Sequence, residues 1–268
     1  MKKKRFLIGI LALCILLVFS ACGGGNNGRE TLVLGVTEFE PMNFRDEGNN
    51  WAGFDTEFAL LVGERLGVDV EFQLIEWGNK FAELDSGAID AIWNGFTATA
   101  TEPDGTPRIE LCDMSYSYML NTQAIVIRAE RAAEFTAESD LAGVSLAAEA
   151  GSAGEVKAQM LVGEGGTVIG VPAQINSFIE VKSGAVDGAV IDVILARQIA
   201  GSGDFADLAI ASITLPDEVY AIGFRQGDPL RDRVNQVMVE LYEDGSLAEI
   251  AQRYGLEERL LLDTTFGL

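Results

Sequence analysis

Arg108 stands at the end of a loop rich in threonine and turn formers, Thr97 to Pro107. A guanidinium offers a planar fork that grips a carboxylate through two parallel hydrogen bonds, which the point charge of a lysine cannot match. The competing reading of Arg108 is a surface ion pair with Glu110 or another acid. Asp192 ends the run Gly188-Ala189-Val190-Ile191 and is followed by Val193-Ile194-Leu195. A carboxylate in so apolar a stretch needs a partner once buried. A ligand ammonium would be one, and the first amides of a helix beginning at Val193 would be another. Ser152 with Glu155 has the form of a capping box, which predicts a helix start. Helix starts favour anions through free N–H groups and partial positive charge, although plain capping accounts for the same two residues. Phe39, Phe44 and Trp77 lie in or beside loops at strand ends, where aromatic rings either enclose a small ligand or simply pack in the core. These groups have the chemistry to hold a zwitterion, with its carboxylate on Arg108 and the helix start and its ammonium on Asp192.

Other chemistry is excluded by what the chain lacks. There is no histidine, so Ser-His-Asp and Cys-His catalysis and histidine-containing zinc sites are ruled out, and neither a Walker loop nor a G-x-S-x-G elbow occurs. No cofactor or metal is expected. Catalysis by carboxylates alone stays open. The 268 residues carry 41 acids against 19 basic residues, a net charge of −22, which argues against nucleic acid as a partner. Of the three cysteines, Cys112 lies in Ile109-Glu110-Leu111-Cys112 and reads as a packed small residue.

Two similar units must position the reactive groups. The string Ser86-Gly87-Ala88-Ile89-Asp90-Ala91 returns as Ser183-Gly184-Ala185-Val186-Asp187-Gly188. Each copy follows an amphipathic stretch and precedes a short apolar run, which reads as helix, glycine stop, buried strand. In open α/β sheets ligands lie off the carboxyl ends of the strands, so Asn94-Gly95-Phe96-Thr97 and Asp192 are predicted to face a cleft. Ahead of the first copy, Thr31–Val36 reads as a strand. A helix capped by Asp55 then carries Phe58, Leu61, Val62 and Leu66, and Val68 to Ile75 is a second strand. After Thr122 to Ile127, an extended segment, the polar stretch Arg128 to Asp140 carries the chain to a second strand-helix series. The run Leu208 to Leu215 precedes a return strand at Tyr220–Phe224 and a final helix with Val234, Val237, Met238 and Leu241 on its buried face. Two crossings between two α/β lobes make a hinge.

The N-terminus reads as an export signal over residues 1–21: Lys2, Lys3, Lys4 and Arg5, an apolar stretch from Phe6 to Phe19, then Ser20 and Ala21. Val18-Phe19-Ser20-Ala21-Cys22 is similar to the bacterial lipoprotein box. Cys22 is therefore expected to carry the lipid, and residues 22–30, rich in glycine and asparagine, to form a flexible tether. An ordinary signal peptide with an incidental cysteine is the alternative.

Several stretches together resemble the bacterial extracellular solute-binding proteins of polar amino acid ABC importers, family 3. They are Phe39-Glu40-Pro41-Met42-Asn43-Phe44, Gly53-Phe54-Asp55, Trp93 to Thr97, Arg108 through Tyr116, Ala150 to Ala153, Asp187 to Asp192, and Gly223 to Asp228. The resemblance implies an α/β, two-lobed Venus flytrap fold, each lobe a mostly parallel sheet flanked by helices and the two joined by two hinge strands. It implies lobe 1 over 31–122 and 218–268 and lobe 2 over 123–217. Carried onto this sequence, Arg108 binds the α-carboxylate with the Thr97 and Ala153 amides and the Ser152 hydroxyl. Asp192 takes the α-ammonium with the Gly95 carbonyl and the Thr97 hydroxyl, Phe39 and Trp77 flank the side chain, and Glu38, Asn94 and Glu149 fall near the positions that select it. Two acids there favour a cationic or amide-bearing side chain. The spacing from Thr97 to Arg108 exceeds the family's usual one, with Pro103-Asp104-Gly105-Thr106-Pro107 as an insertion. The implied protein is a monomer outside the cytoplasmic membrane, held to it by lipid alone, that binds a polar amino acid and delivers it to an ABC permease. The alternatives are a dehydratase of amino acid precursors on the same fold, with Glu38 or Glu149 as the acid, and a receptor that senses without transport.

Overall fold

A computed structural model describes residues 30–266. The expected leader, Cys22 and the tether up to residue 29 lie outside the described residues. Among the described residues no helix is long and apolar enough to cross a membrane.

The first series runs β1 (Thr31–Val36), the short β2 (Phe44–Arg45) and β3 (Trp51–Ala52), α1 (Phe54–Leu66), β4 (Asp69–Leu74), α2 (Lys80–Ser86) and β5 (Ala91–Thr97). β5 is buried along its whole length, as a strand covered on both faces must be. The short β6 (Asp113–Met114) leads into β7 (Ser117–Arg128), the longest strand. A second series follows: β8 (Ser145–Glu149), α3 (Ala153–Val162), β9 (Thr167–Val171), α4 (Gln174–Ser183), β10 (Gly188–Asp192), α5 (Val193–Ile199) and β11 (Leu208–Ile210). The chain closes with β12 (Asp217–Phe224), α6 (Leu230–Glu243), α7 (Ser246–Arg253) and β13 (Leu260–Asp263). The repeated string does the same work twice, since Gly87 ends α2 and Gly184 ends α4 in the left-handed conformation before β5 and β10.

Strand order is β4-β1-β5-β12-β7-β10-β8-β9. β4, β1 and β5 run parallel, as do β10, β8 and β9, while β12 is antiparallel to β5, and β7 to both β12 and β10. Residues 117–122 of β7 pair with β12 and β13, and residues 123–128 with β10 and β11. One strand thus serves both lobes. Beside the changeover, the Thr122 hydroxyl donates to the Leu215 and Pro216 carbonyls at 3.1 Å each, tying the second connection to the first. The result is the two-lobed fold with paired hinge strands.

Three elements differ from their sequence reading. The polar Arg128–Asp140 stretch folds as short 3-10 turns at Ala129–Glu134 and Glu138–Leu141, and the change of strand partners comes earlier, inside β7 between residues 122 and 123, where the resemblance puts the lobe boundary. A continuous strand keeps its backbone hydrogen bonds on both sides of the changeover, so no linker is required. Asp55 does not cap α1, whose N-cap is Gly53 without a side-chain bond. Fully buried, its carboxylate accepts from the Gly95 amide at 2.6 Å and the Tyr118 hydroxyl at 2.8 Å instead. Finally, α6 is followed by α7, which buries Leu247, Ile250 and Ala251, and by β13, which returns to β7. The largest core cluster runs unbroken from Phe54, Phe58 and Tyr118 through Tyr220 to Ile191 and Phe178, so the hinge itself is packed.

Candidate functional site

The carboxyl ends of five strands meet between the lobes. Trp77 follows β4, Asn94, Gly95 and Thr97 lie on β5, Glu149 ends β8, Gln174 follows β9, and Asp192 ends β10. With Arg108 and with Ser152 and Ala153 at the start of α3, they line one closed cavity with about 10 Å3 of free space. That is room for about one water, far below the ~300–1,000 Å3 usual for drug-sized ligands, so the lobes stand closed on each other here and a ligand enters only as they part.

Arg108 is 1 % exposed and held on three sides. Its Nη1 donates to the Thr97 carbonyl at 3.0 Å, its Nε to Glu102 Oε1 at 2.8 Å, and its Nη2 to the Gly151 carbonyl at 3.1 Å, over the ring of Phe96. A guanidinium has five N–H donors, so one on Nη1 and one on Nη2 remain for an incoming carboxylate. The acid beside it is Glu102, not Glu110. Lys80, fully buried, stands next to it with Nζ 2.9 Å from Glu102 Oε2 and 2.9 Å from the Gly151 carbonyl. Burial, helped by repulsion from Arg108, lowers its pKa to about 8.

Across the cavity, Ser152 caps α3: its Oγ accepts from the Glu155 amide at 3.0 Å, and Glu155 Oε2 accepts from the Gly151 amide at 2.7 Å. The serine proton stays available for a ligand, and the first amides of α3 have no intrahelical acceptor.

Asp192 stands at the N-cap position of α5 but makes no side-chain capping bond. Its Oδ1 accepts from Tyr220 at 2.9 Å, from Gln123 at 3.1 Å and from Asn121, and its Oδ2 accepts from Gln174 at 2.6 Å. Burial raises its pKa, and these four neutral donors oppose the rise. The charge is hydrogen-bonded without being neutralised, which suits a cationic ligand group. Glu149 is different. It is buried, and its Oε1 has no hydrogen-bond partner among the described residues. Burial, reinforced by the Asp192 charge, pushes its pKa up to about 8 despite Lys80 and Arg108.

Of the residues expected at the site, Trp77, Asn94, Gly95, Thr97, Arg108, Glu149, Ser152, Ala153 and Asp192 come together on the cavity wall. The Asn94 amide, however, is spent inside lobe 1, donating to Thr37 at 2.6 Å and accepting from Asn43 at 2.8 Å. Phe39 packs edge-on to Tyr220 behind Gly95, outside the lining. Glu38 lies elsewhere, in a separate groove with Phe44, Ile175 and Leu195. Gln174, Lys80 and Glu102 went unread in the sequence. Gln174 follows the strand Thr167–Val171, so the strand-end rule reaches it once that strand is marked. Lys80 lies three residues after Trp77 and four before Leu84, which puts it on the buried face of its helix.

Residues 32–257 match the bacterial extracellular solute-binding proteins, family 3. The chain belongs to this family. A curated relative is the arginine-binding extracellular protein ArtP of Bacillus subtilis, 26% identical over 263 residues, covering 96% of this chain and 100% of ArtP. Among solved structures, an ancestral arginine-binding protein bound to arginine superposes with a TM-score of 0.77 at 29% identity, over 84% of this chain and 98% of that one. A substrate-binding protein of an ABC uptake transporter from Streptococcus pneumoniae with bound histidine gives 0.73 at 31%, over 84% and 92%. Family members of this kind bind amino acids for ABC transporters, outside the cytoplasm. They are named as binding proteins, not enzymes.

Proposed function

We propose that this solute-binding protein takes one amino acid between its lobes and delivers it to an ABC permease, without converting it. The observation that carries the reading is a single cavity lined by Arg108 with the start of α3 and, in the same wall, by Asp192. Arg108 belongs to the first lobe and Ser152 and Ala153 to the second, so one carboxylate held by both draws the lobes together. Asp192 in the second lobe and the Gly95 carbonyl with the Thr97 hydroxyl in the first do the same for the ammonium. An open form offers half of these contacts and a closed form all of them, so the ligand shifts the population toward closure.

Glu149 selects the side chain in this reading. An unpaired buried carboxylate oxygen is matched by a side chain with an N–H donor and repelled by an acidic one. Arginine, named for ArtP and bound in the ancestral protein, has such donors. Trp77 supplies an apolar wall for the stem. Cys22 is the proposed lipid anchor.

Charge-assisted hydrogen bonds contribute ~1.5–3 kcal/mol each, so Arg108→Ala and Asp192→Ala each weaken binding at least about tenfold. The assay is calorimetry with whichever of the standard amino acids most raises the thermal midpoint. Unchanged affinity in either variant removes that residue from the site. Product formed from prephenate or arogenate would replace binding by catalysis.

A further inference from the structure

The two lobes touch in one place without any side chain between them. Gly151, after β8, adopts φ 73°, and a Cβ added there would stand 2.8 Å from the Cα of Gly78, which follows Trp77 in the other lobe. At this seam the Gly151 carbonyl accepts from both Lys80 Nζ, at 2.9 Å, and Arg108 Nη2, at 3.1 Å. Two cations converging on one neutral oxygen repel each other. Glu102 offsets the repulsion, with Oε2 2.9 Å from Lys80 and Oε1 2.8 Å from Arg108.

Glu102 is carried by the lengthened segment between Thr97 and Arg108. That segment is a small ordered hairpin: Thr101 pairs with Pro107, the Glu102 amide donates to the Thr106 carbonyl at 2.8 Å, and the Arg108 amide to the Ala100 carbonyl at 3.1 Å. The hairpin therefore holds the Glu102 carboxylate in a fixed place. Lys80 is 0% exposed, Arg108 1% and Glu102 14% in their side chains, so water does little to screen the three charges.

We propose that Glu102 is a positioning residue for lobe closure: it yokes Lys80 and Arg108 so that both reach the Gly151 carbonyl of the facing lobe and latch the closed form. The inference rests on the binding reading above. Glu102 stands behind Arg108 and is not among the residues lining the cavity. Lys80, Glu102 and Arg108 all belong to the first lobe and Gly151 to the second, so the bonds to Gly151 exist only when the lobes meet. The latch acts on ligand release and leaves the first encounter alone.

The test uses the full chain loaded with a carbon-14-labelled mixture of the standard amino acids and chased with the unlabelled mixture, release being followed by filter retention. Glu102→Gln replaces an acceptor of Lys80 by a donor or a neutral oxygen, and release is expected to accelerate about tenfold with uptake changed less than about twofold. Lys80→Met reaches the same latch from α2 and serves if Glu102→Gln folds poorly. Because both act through one cluster, the double variant releases no faster than about the faster single variant. A merely structural residue would slow uptake as well, or multiply with Lys80→Met. Release rates equal to wild type in both single variants, or multiplicative effects in the double, overturn the latch. A wild-type chain that retains no label overturns the binding reading instead, before any variant is compared.

Discussion

Glu149→Gln should change how affinity depends on pH more than affinity itself. With burial and the Asp192 charge pushing its pKa up to about 8, Glu149 enters the neutral range mostly protonated. A cationic side chain needs the ionised form, so binding expels a proton. Holding the group ionised at about pH 6 costs two pKa units, ~2.7 kcal/mol, and almost nothing at about pH 8.5. Affinity for a basic amino acid therefore rises ten- to a hundredfold over that range, close to one proton leaving per ligand at the acid end. The sign follows from the direction of the shift: a raised carboxyl pKa opposes the cation below it and ceases to do so above it. The Gln variant keeps shape and loses titration. Its profile is expected to lose the Glu149 proton and keep only the smaller slope from Lys80, near about 8, and Glu218, near about 7, and at about pH 8.5 it binds the same ligand ten- to over a hundredfold more weakly, the worth of one charge-assisted bond of ~1.5–3 kcal/mol. An amide side chain, which needs no charge, shows little slope in either protein. Calorimetry in buffers of different ionisation enthalpy reads both affinity and proton count. Equal slopes in wild type and Glu149→Gln would refute the assignment.

Two other consequences concern the fold and its closure. Asp55 and Glu149, raised by burial to about 7 and about 8, stay protonated in the folded chain at pH values where the unfolded chain has released both protons. Stability is thus greatest near about pH 5 and falls as pH rises toward about 8, because the unfolded state binds fewer protons there; a thermal midpoint that rises over this interval contradicts it. Gly151→Ala puts a Cβ 2.8 Å from Gly78 Cα and strains a left-handed backbone, so affinity should fall at least about tenfold, whereas Gly78→Ala, whose Cβ meets nothing nearer than 3.9 Å, leaves it unchanged. Calorimetry on the pair decides the matter, and equal effects of the two substitutions would remove the seam from the account.

The fold was legible where local rules suffice. The repeated string marks two helix stops and two buried strands, and the ends of those two strands mark part of the cavity wall, because the cleft lies off the carboxyl ends of the parallel strands. What stayed hidden depends on long-range pairing. Nothing near Asp192 in the chain announces that Asn121, Gln123 and Tyr220 from the hinge strands, with Gln174, will take both its oxygens in place of a helix cap. Asn94 has the polarity of a selecting residue, yet Asn43 and Thr37 claim its amide from behind. Glu38 sits two residues past a strand of the same sheet, but the chain turns there and leaves it in another groove. The inserted segment read only as extra length; its role depends on a hairpin returning Glu102 to Lys80, which is distant in sequence.

The central claim is that one amino acid bridges the lobes, carboxylate to Arg108 and ammonium to Asp192. A crystal structure of the protein grown with the amino acid that stabilises it most tests this directly. The account predicts the α-carboxylate within hydrogen-bond distance of the Arg108 guanidinium and of the first amides of α3, and the α-ammonium on an Asp192 oxygen. An amino acid lying outside the cavity, or reversed with its carboxylate toward Asp192, would contradict it.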